Sequence, residues 1–124
     1  MTVTRFELVV PGPLHTVNRE RAVHWRISRG WTKTTRELAG WVGRGAPRFV
    51  WCDVEVWPEQ AKGRLADVGA HLPSVKAAVD GLVDAGVLAD DGPVFLRSLL
   101  LNAPVRGGRD LLRLVLVGER KPSV

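Results

Sequence analysis

Five carboxylates and one lysine of this 124-residue chain stand at spacings that suit phosphoryl chemistry. Asp67 precedes a stretch with helical periodicity, the pair Asp90-Asp91 follows it, and Lys76, Asp80 and Asp84 lie inside it at i, i+4 and i+8. Two or three carboxylates around an open position, with water completing an octahedron, suit Mg²⁺. A cation held that way activates an attacking water and neutralises charge on a phosphoryl group, and a nearby lysine can hold the phosphate or the transition state. A helix of about thirteen residues is ~20 Å long, so its two ends cannot share a metal directly. The connectors reach ~15 Å at most and could double back along the helix, bringing Asp67 and Asp91 together under Lys76. A plainer reading stays open. Asp90-Asp91-Gly92-Pro93 has the composition of a turn, and Lys76 with Asp80 has the spacing of a helix ion pair worth ~0.3–0.5 kcal/mol. Residue types and spacing do not choose between the two.

The elements that must position these groups follow from periodicity. Thr4–Val10 alternates weakly and ends in Pro11-Gly12-Pro13, a strand followed by a rigid turn. No element is assigned to residues 14–31, where Gly30 reads as an interruption. Thr32–Val42 is expected to be helical, with Leu38, Trp41 and Val42 on one face and Gly43, Gly45 and Pro47 stopping it. Phe49–Trp57 is the clearest strand, with Val50, Cys52, Val54 and Val56 on one side and Phe49, Trp51, Asp53, Glu55 and Trp57 on the other. Residues 58–72 read as an extended or looping connection. A helix then runs from Pro73 to Gly86 with a Val75, Val79, Leu82, Val83 stripe. Gly81 in its middle costs ~1 kcal/mol relative to Ala, which points to close packing against a neighbour. Phe95–Leu101 and Asp110–Val117 read as strands joined by a hairpin turn at Arg106-Gly107-Gly108-Arg109. The expectation is one small α+β (mixed α/β) domain over residues 1–118, a mixed sheet with two main helices, and a frayed tail over 119–124.

Composition sets the surroundings of this site. Hydrophobic residues at 45% and charged residues at 25% describe a globular domain, and disordered chains lack such apolar content. No apolar run approaches the ~20 residues of a membrane span, and residues 1–25 show no signal-peptide pattern. The expected location is therefore the cytoplasm. Cys52 is the single cysteine, which excludes an internal disulfide framework and a cysteine-based zinc site. The net charge is +5, and fourteen of the eighteen basic residues are Arg, whose planar fork suits phosphate oxygens. Eight of them fall within residues 19–48 against two acids, Glu20 and Glu37. A backbone-gripping basic surface beside a separate carboxylate site fits this distribution, and so does a solvated basic face kept for solubility.

The run Lys76-Ala-Ala-Val-Asp80-Gly-Leu-Val-Asp-Ala-Gly86-Val-Leu-Ala-Asp90-Asp91 resembles the core motif of the RusA-like Holliday junction resolvases. That motif reads Asp-x-x-Asn or Asp-x-Asp-Asn, a short gap, Lys-Ala-x-x-Asp-x-Leu-x-x-Ala-Gly and a closing Asp-Asp. Asn18-Arg19-Glu20-Arg21, His24-Trp25 and Thr34–Arg36 resemble the basic amino-terminal part of phage and actinobacterial members, and Gly107-Gly108 before a Leu/Val strand fits their closing hairpin. The resemblance implies a homodimeric, Mg²⁺-dependent endonuclease, with Mn²⁺ as a possible substitute, that introduces paired symmetric nicks in four-way DNA junctions. It needs no small-molecule cofactor and no membrane. Carried over residue by residue, Asp67, Lys76 and Asp91 take catalytic roles, Asp67, Asp90 and Asp91 hold the metal, and Asp80 and Gly86 are structural positions of the motif. The pattern departs in one place. After Asp67 a second Asp or an Asn is expected, and here Val68-Gly69-Ala70 follow, with Gly69 or Ala70 in the place of that polar group, which would weaken Mg²⁺ binding. His71 is an imidazole better suited to Mn²⁺ or Zn²⁺, and reads more readily as a solvated loop residue or a DNA contact.

Arg19, Arg21, His24, Arg26, Lys33, Arg36, Arg64 and His71 are the candidate DNA contacts. Trp25 and Trp31, among basic residues, could stack on unpaired bases, while Trp41, Trp51 and Trp57 are expected in the core or at a dimer interface. Two rivals stand beside the nuclease. One is a structure-selective DNA-binding protein on the same fold that lost cleavage with its second metal ligand. The other is a basic RNA-binding module with structural carboxylates.

Overall fold

The computed structural model describes residues 2–122. The elements follow in the order β1 (Val3–Pro11), α1 (Val17–Ala22), α2 (Trp25–Gly43), β2 (Phe49–Gln60), α3 (Leu72–Asp84), β3 (Leu96–Leu101), β4 (Val105–Arg106) and β5 (Leu111–Arg120). The strands form one mixed five-stranded sheet in the order β1-β5-β2-β3, with the short β4 also on β2. β5 is antiparallel to both β1 and β2, whereas β3 and β4 run parallel to β2. This is a small α+β domain. No helix among the described residues is long and apolar enough to cross a membrane.

Alternation builds the core. Leu8 and Val10 of β1, Cys52, Val54 and Val56 of β2, and Leu112, Leu114 and Leu116 of β5 share one sheet face. They pack on Ala39 of α2 and Val75, Ala78 and Leu82 of α3. β5 lies centrally, so Val115 on the opposite face is buried as well. α2 and α3 cross at two glycines, Gly40 and Gly81. A Cβ on Gly81 would run into the Arg36 carbonyl and stand 2.8 Å from both the Ala39 Cβ and the Gly40 nitrogen. The mid-helix glycine thus has the packing reason its cost implied.

Several expectations are corrected. The stretch from Val17 to Trp31, left without an element, is helical almost throughout, and Gly30 does not interrupt α2. α2 buries only Thr35, Ala39 and Gly43, so it offers no large apolar stripe to read. Phe49 lies in the core and Val50 is exposed, because the β2–β5 register shifts between Phe49 and Trp51 and moves Phe49 to the other face. The turn at Gly107-Gly108 does not close a β3–β5 hairpin: β3 pairs with β2, and β5 inserts between β1 and β2. Residues 119–121 are not frayed, since Glu119 pairs with Val3 and the Lys121 N–H donates to the Arg48 carbonyl at 2.7 Å. Ser123 and Val124, the end of that expected tail, lie outside the described residues. Trp41, Trp51 and Trp57 are outside the core. Trp41 is 70% exposed, Trp51 lies under the Arg97 guanidinium at 4.1 Å, and Trp57 donates its Nε1–H to Glu55 Oε1 at 3.1 Å.

Candidate active site and nucleic-acid interface

α3 has two faces with different tasks. His71, Ser74, Val75, Ala78 and Leu82 recur at helical spacing and turn inward, which leaves Lys76 and Asp80, one turn apart, beside β3. The segment after α3 is fixed by buried Val87 and Leu88, and the Phe49 N–H donates to the Val87 carbonyl at 2.9 Å. Gly86 has φ +81°, the left-handed conformation that ends the helix and redirects the chain. A tight turn follows, with the Phe95 and Leu96 N–H groups both donating to the Gly92 carbonyl at 2.9 Å. It returns Asp91 to α3. Lys76, Asp80 and Asp91 line one open recess of about 230 Å³, floored by Val79, Leu96 and Leu99.

Asp80, expected as a structural position, therefore shares this recess with Lys76 and Asp91. No ion pair joins Lys76 to Asp80 among the described residues, so the lysine is not neutralised by its helix neighbour. Asp90 does not line the recess. Its Oδ2 lies over Gly92, 3.4 Å from where a Cβ there would stand.

Asp67 stands elsewhere on the same α3–β3 seam. It borders a cavity of about 10 Å³ with Gly69, His71, Val75, Leu101 and Asn102, and an outer recess of about 290 Å³ with Asn18 and Arg64. A turn holds it, the Ala70 N–H donating to the Asp67 carbonyl at 3.0 Å, and Gly69 within that turn has φ +81°. Among the described residues no three His, Cys, Asp or Glu side chains form a group that could hold a metal ion. The expected Asp67, Asp90 and Asp91 set is thus not gathered. Asp80 and Asp91 share the recess instead. Mg²⁺ commonly takes one or two carboxylates, with waters and substrate phosphates completing its shell, and that recess fits such a demand.

His71 is neither a solvated loop residue nor a surface DNA contact: it is buried. Gln60 Oε1 accepts the Ala66 N–H at 2.8 Å and faces His71 Nε2 at 3.2 Å. An amide oxygen can only accept, so His71 carries its proton on Nε2. Ser74 Oγ accepts the His15 backbone N–H at 3.0 Å and lies 3.1 Å from His15 Nδ1. Burial lowers the pKa of both histidines. Glu20, 3.7 Å from His15 Nε2, pulls the His15 value partly back, and the His15 backbone does so for His71. This polar cluster ties the chain before α1 to the start of α3 and to β2. Extending the inward stripe of α3 back by one turn, to Ser74 and His71, is the sequence signal that would have found it.

The basic residues divide by partner. Arg36 holds Asp84 through two hydrogen bonds of 2.6 and 2.9 Å, so it bridges α2 and α3 rather than standing free for phosphate. That hydrogen bonding raises the Arg36 pKa and lowers that of Asp84. His24 caps α2, its Nδ1 accepting the Arg26 N–H at 3.1 Å. Arg19 lies over Trp31 at 5.6 Å, and Trp31 packs on His15. Arg26 and Arg29 lie over Trp25 at 5.4 and 5.3 Å. Arg21, Lys33 and Arg64 are exposed, Lys33 in a recess of about 490 Å³ with Arg29 and Arg36, and Arg64 beside Asp67. Arg29 was absent from the candidate contacts, although its i+4 spacing from Trp25 marks it.

No protein-family model matches the chain, and no curated protein matches it. Among solved structures, thiamine-monophosphate kinase from Stenotrophomonas maltophilia K279a aligns with 94% of this chain at 18% identity and a TM-score of 0.34. The chain covers 30% of that protein's length. A likeness at this level assigns neither a fold nor an activity to the chain.

Proposed function

We propose that this chain is a divalent-metal-dependent endonuclease that resolves four-way DNA junctions as a homodimer, in the manner of the RusA-like resolvases it resembles. The observation that carries the reading is the shared recess of Lys76, Asp80 and Asp91, two parts of one motif fifteen residues apart in sequence. Bound Mg²⁺ or Mn²⁺ would supply Lewis-acid stabilisation of phosphoryl charge there. The Lys76 ammonium pairs with a non-bridging phosphate oxygen and stabilises the added charge of the transition state. Asp80 and Asp91 orient a water, and Asp91 takes its proton as its oxygen attacks phosphorus. The phosphorus–oxygen bond to the leaving sugar oxygen breaks, and that oxygen takes up a proton from solvent. Val79, Leu96 and Leu99 floor the recess with apolar surface, which strengthens these charge interactions. Arg21, Arg29, Lys33 and Arg64 grip the flanking backbone, and two copies cut the two equivalent strands of a symmetric junction.

The test is cleavage of an end-labelled four-way junction at low salt, with Mg²⁺ and Mn²⁺ in parallel, against a duplex of the same sequence. Nicks confined to the junction and lost in Asp91→Asn are expected. Duplex and junction cut or bound alike would overturn the reading.

A second reading has its own observation. Gly69, at φ +81°, or Ala70 stands in the place of a polar ligand in the resembling family, and no three-ligand group forms among the described residues. On that account the chain binds branched DNA selectively without cutting it. Tight junction binding with no cleavage in either metal would favour it.

A further inference from the structure

We infer that Trp25 is a stacking platform for an unpaired base of branched DNA, with the base's own strand running along α2 over Arg29 and Lys33. The inference rests on the nuclease reading for its substrate class. Trp25 opens α2 and is 53% exposed, an arrangement that leaves a large apolar surface in water at no benefit to folding. Two guanidiniums, from Arg26 and Arg29, lie over its ring at 5.4 and 5.3 Å, and the His24 ring packs beside it at 5.6 Å. A half-exposed aromatic ring covered only by mobile surface guanidiniums suits single-stranded nucleic acid: the guanidiniums swing off the ring to the phosphates and the base stacks in their place.

The rest of the helix continues the pattern. At 100° per residue Trp25, Arg29, Thr32 and Arg36 fall within about 60° of one another, with Lys33 at the edge of the stripe. Arg29, Thr32, Lys33 and Arg36 line the recess of about 490 Å³ between α1 and α2. The stripe ends at the Arg36–Asp84 pair, and Asp84 is one helical turn from Asp80 of the cleavage recess. Platform, cationic track and carboxylates therefore lie in sequence along two packed helices. A fully paired duplex has no base to offer the indole, so the platform discriminates branched from plain DNA where phosphate contacts cannot.

The experiment uses a four-way junction with 2-aminopurine at the branch point, a duplex with one bulged 2-aminopurine, and the matching perfect duplex, all in EDTA so that nothing is cut. Wild type should quench the bulged and branch-point probes. Trp25→Ala should lose the quenching and bind the bulged duplex about 5- to 150-fold more weakly, with its affinity for perfect duplex unchanged. Trp25→Phe should keep part of the effect. Ile27→Ala, an exposed apolar change on the opposite side of α2, should behave as wild type. Undiminished quenching by Trp25→Ala, or an equal loss on perfect duplex, overturns the inference. Equal quenching of a bulged RNA overturns its restriction to DNA. Junction cleavage assayed separately with Mg²⁺ keeps the two claims apart. Cleavage with no role for Trp25 removes the platform alone, and Trp25-dependent binding with no cleavage removes the nuclease alone.

Discussion

At one end of the α3–β3 seam Lys76, Asp80 and Asp91 share an open recess. At the other, Asp67 shares a small cavity with Gly69, His71 and Asn102. The first end can gather charge around a phosphate, because its lysine has no ion-pair partner among the described residues. The polar groups of the second are committed inward. His71 serves Gln60, Asn102 donates to the Val56 carbonyl, and Gly69 has no side chain at all. Two stretches of one seam thus differ in what they leave available. One leaves Lys76, Asp80 and Asp91 facing an open recess, and the other fastens α3 to β2 and to the segment before α1 while retaining a single exposed carboxylate.

The strongest way to break this contrast is to neutralise each carboxylate in turn. Asp91→Asn should lower junction cleavage by about 10²–10³-fold with binding retained, the scale of removing one preorganised charge from a transition state. Asp67→Asn should cost about tenfold. Equal losses in a single-turnover assay would mean that both ends belong to one centre.

Next in size is the helix crossing that positions both ends. Gly81→Ala drives a methyl into the Arg36 carbonyl and the Ala39 side chain. Against a helix-propensity gain of ~1 kcal/mol, overpacking should leave the protein about 1–2 kcal/mol less stable. Urea unfolding checks this. A neutral or stabilising result would show that α2 and α3 separate without cost.

A smaller change sharpens the comparison by filling the second end. A Cβ at Gly69 would stand 3.9 Å from Leu101 Cδ1, so there is room. Asn tolerates the left-handed conformation at a cost of roughly 1 kcal/mol. Gly69→Asn should leave Mg²⁺-dependent cleavage within about twofold of wild type, read as initial rate at sub-saturating metal. A large gain would mean that the second end takes part in metal binding.

The smallest effect is the pH dependence of the histidine pair. Folding holds His15 and His71 neutral by burying them, with pKa values below the ordinary 6.5, whereas the unfolded chain takes up protons there as pH falls. Stability is therefore full above about pH 6.5 and declines on acidification toward the lower folded values. The urea midpoint should be lower at pH 5.5 than at pH 7.5, and His71→Gln should flatten the slope. A midpoint that rises on acidification would contradict the buried neutral pair.

Much of this was legible in sequence where a segment has one wet and one dry face. Cys52, Val54 and Val56 gave β2 its alternation, and the Val75–Leu82 stripe with Gly81 gave α3 and its close neighbour. The lysine and closing aspartate of the recess were legible because a short helix and one turn suffice to join them. α1 and the first half of α2 were not, since a helix that buries only Thr35, Ala39 and Gly43 carries no hydrophobic signature. The place of β5 was not legible either. A Gly-Gly turn fixes where a strand begins, while its partners, β1 on one side and β2 on the other, are set by pairings remote in sequence. The inward turn of His71 is tertiary in the same sense, requiring Gln60 from β2 and Ser74 with His15 across the sheet edge.

The most direct test of the central claim is a supercoiled plasmid that extrudes a cruciform, incubated with the wild-type protein and Mg²⁺. Paired symmetric incision across the four-way junction predicts linear product with its ends at the cruciform base, absent with Asp91→Asn and absent from the relaxed plasmid. Nicked circles alone, or an unchanged plasmid bound tightly by the protein, would contradict a dimeric resolvase.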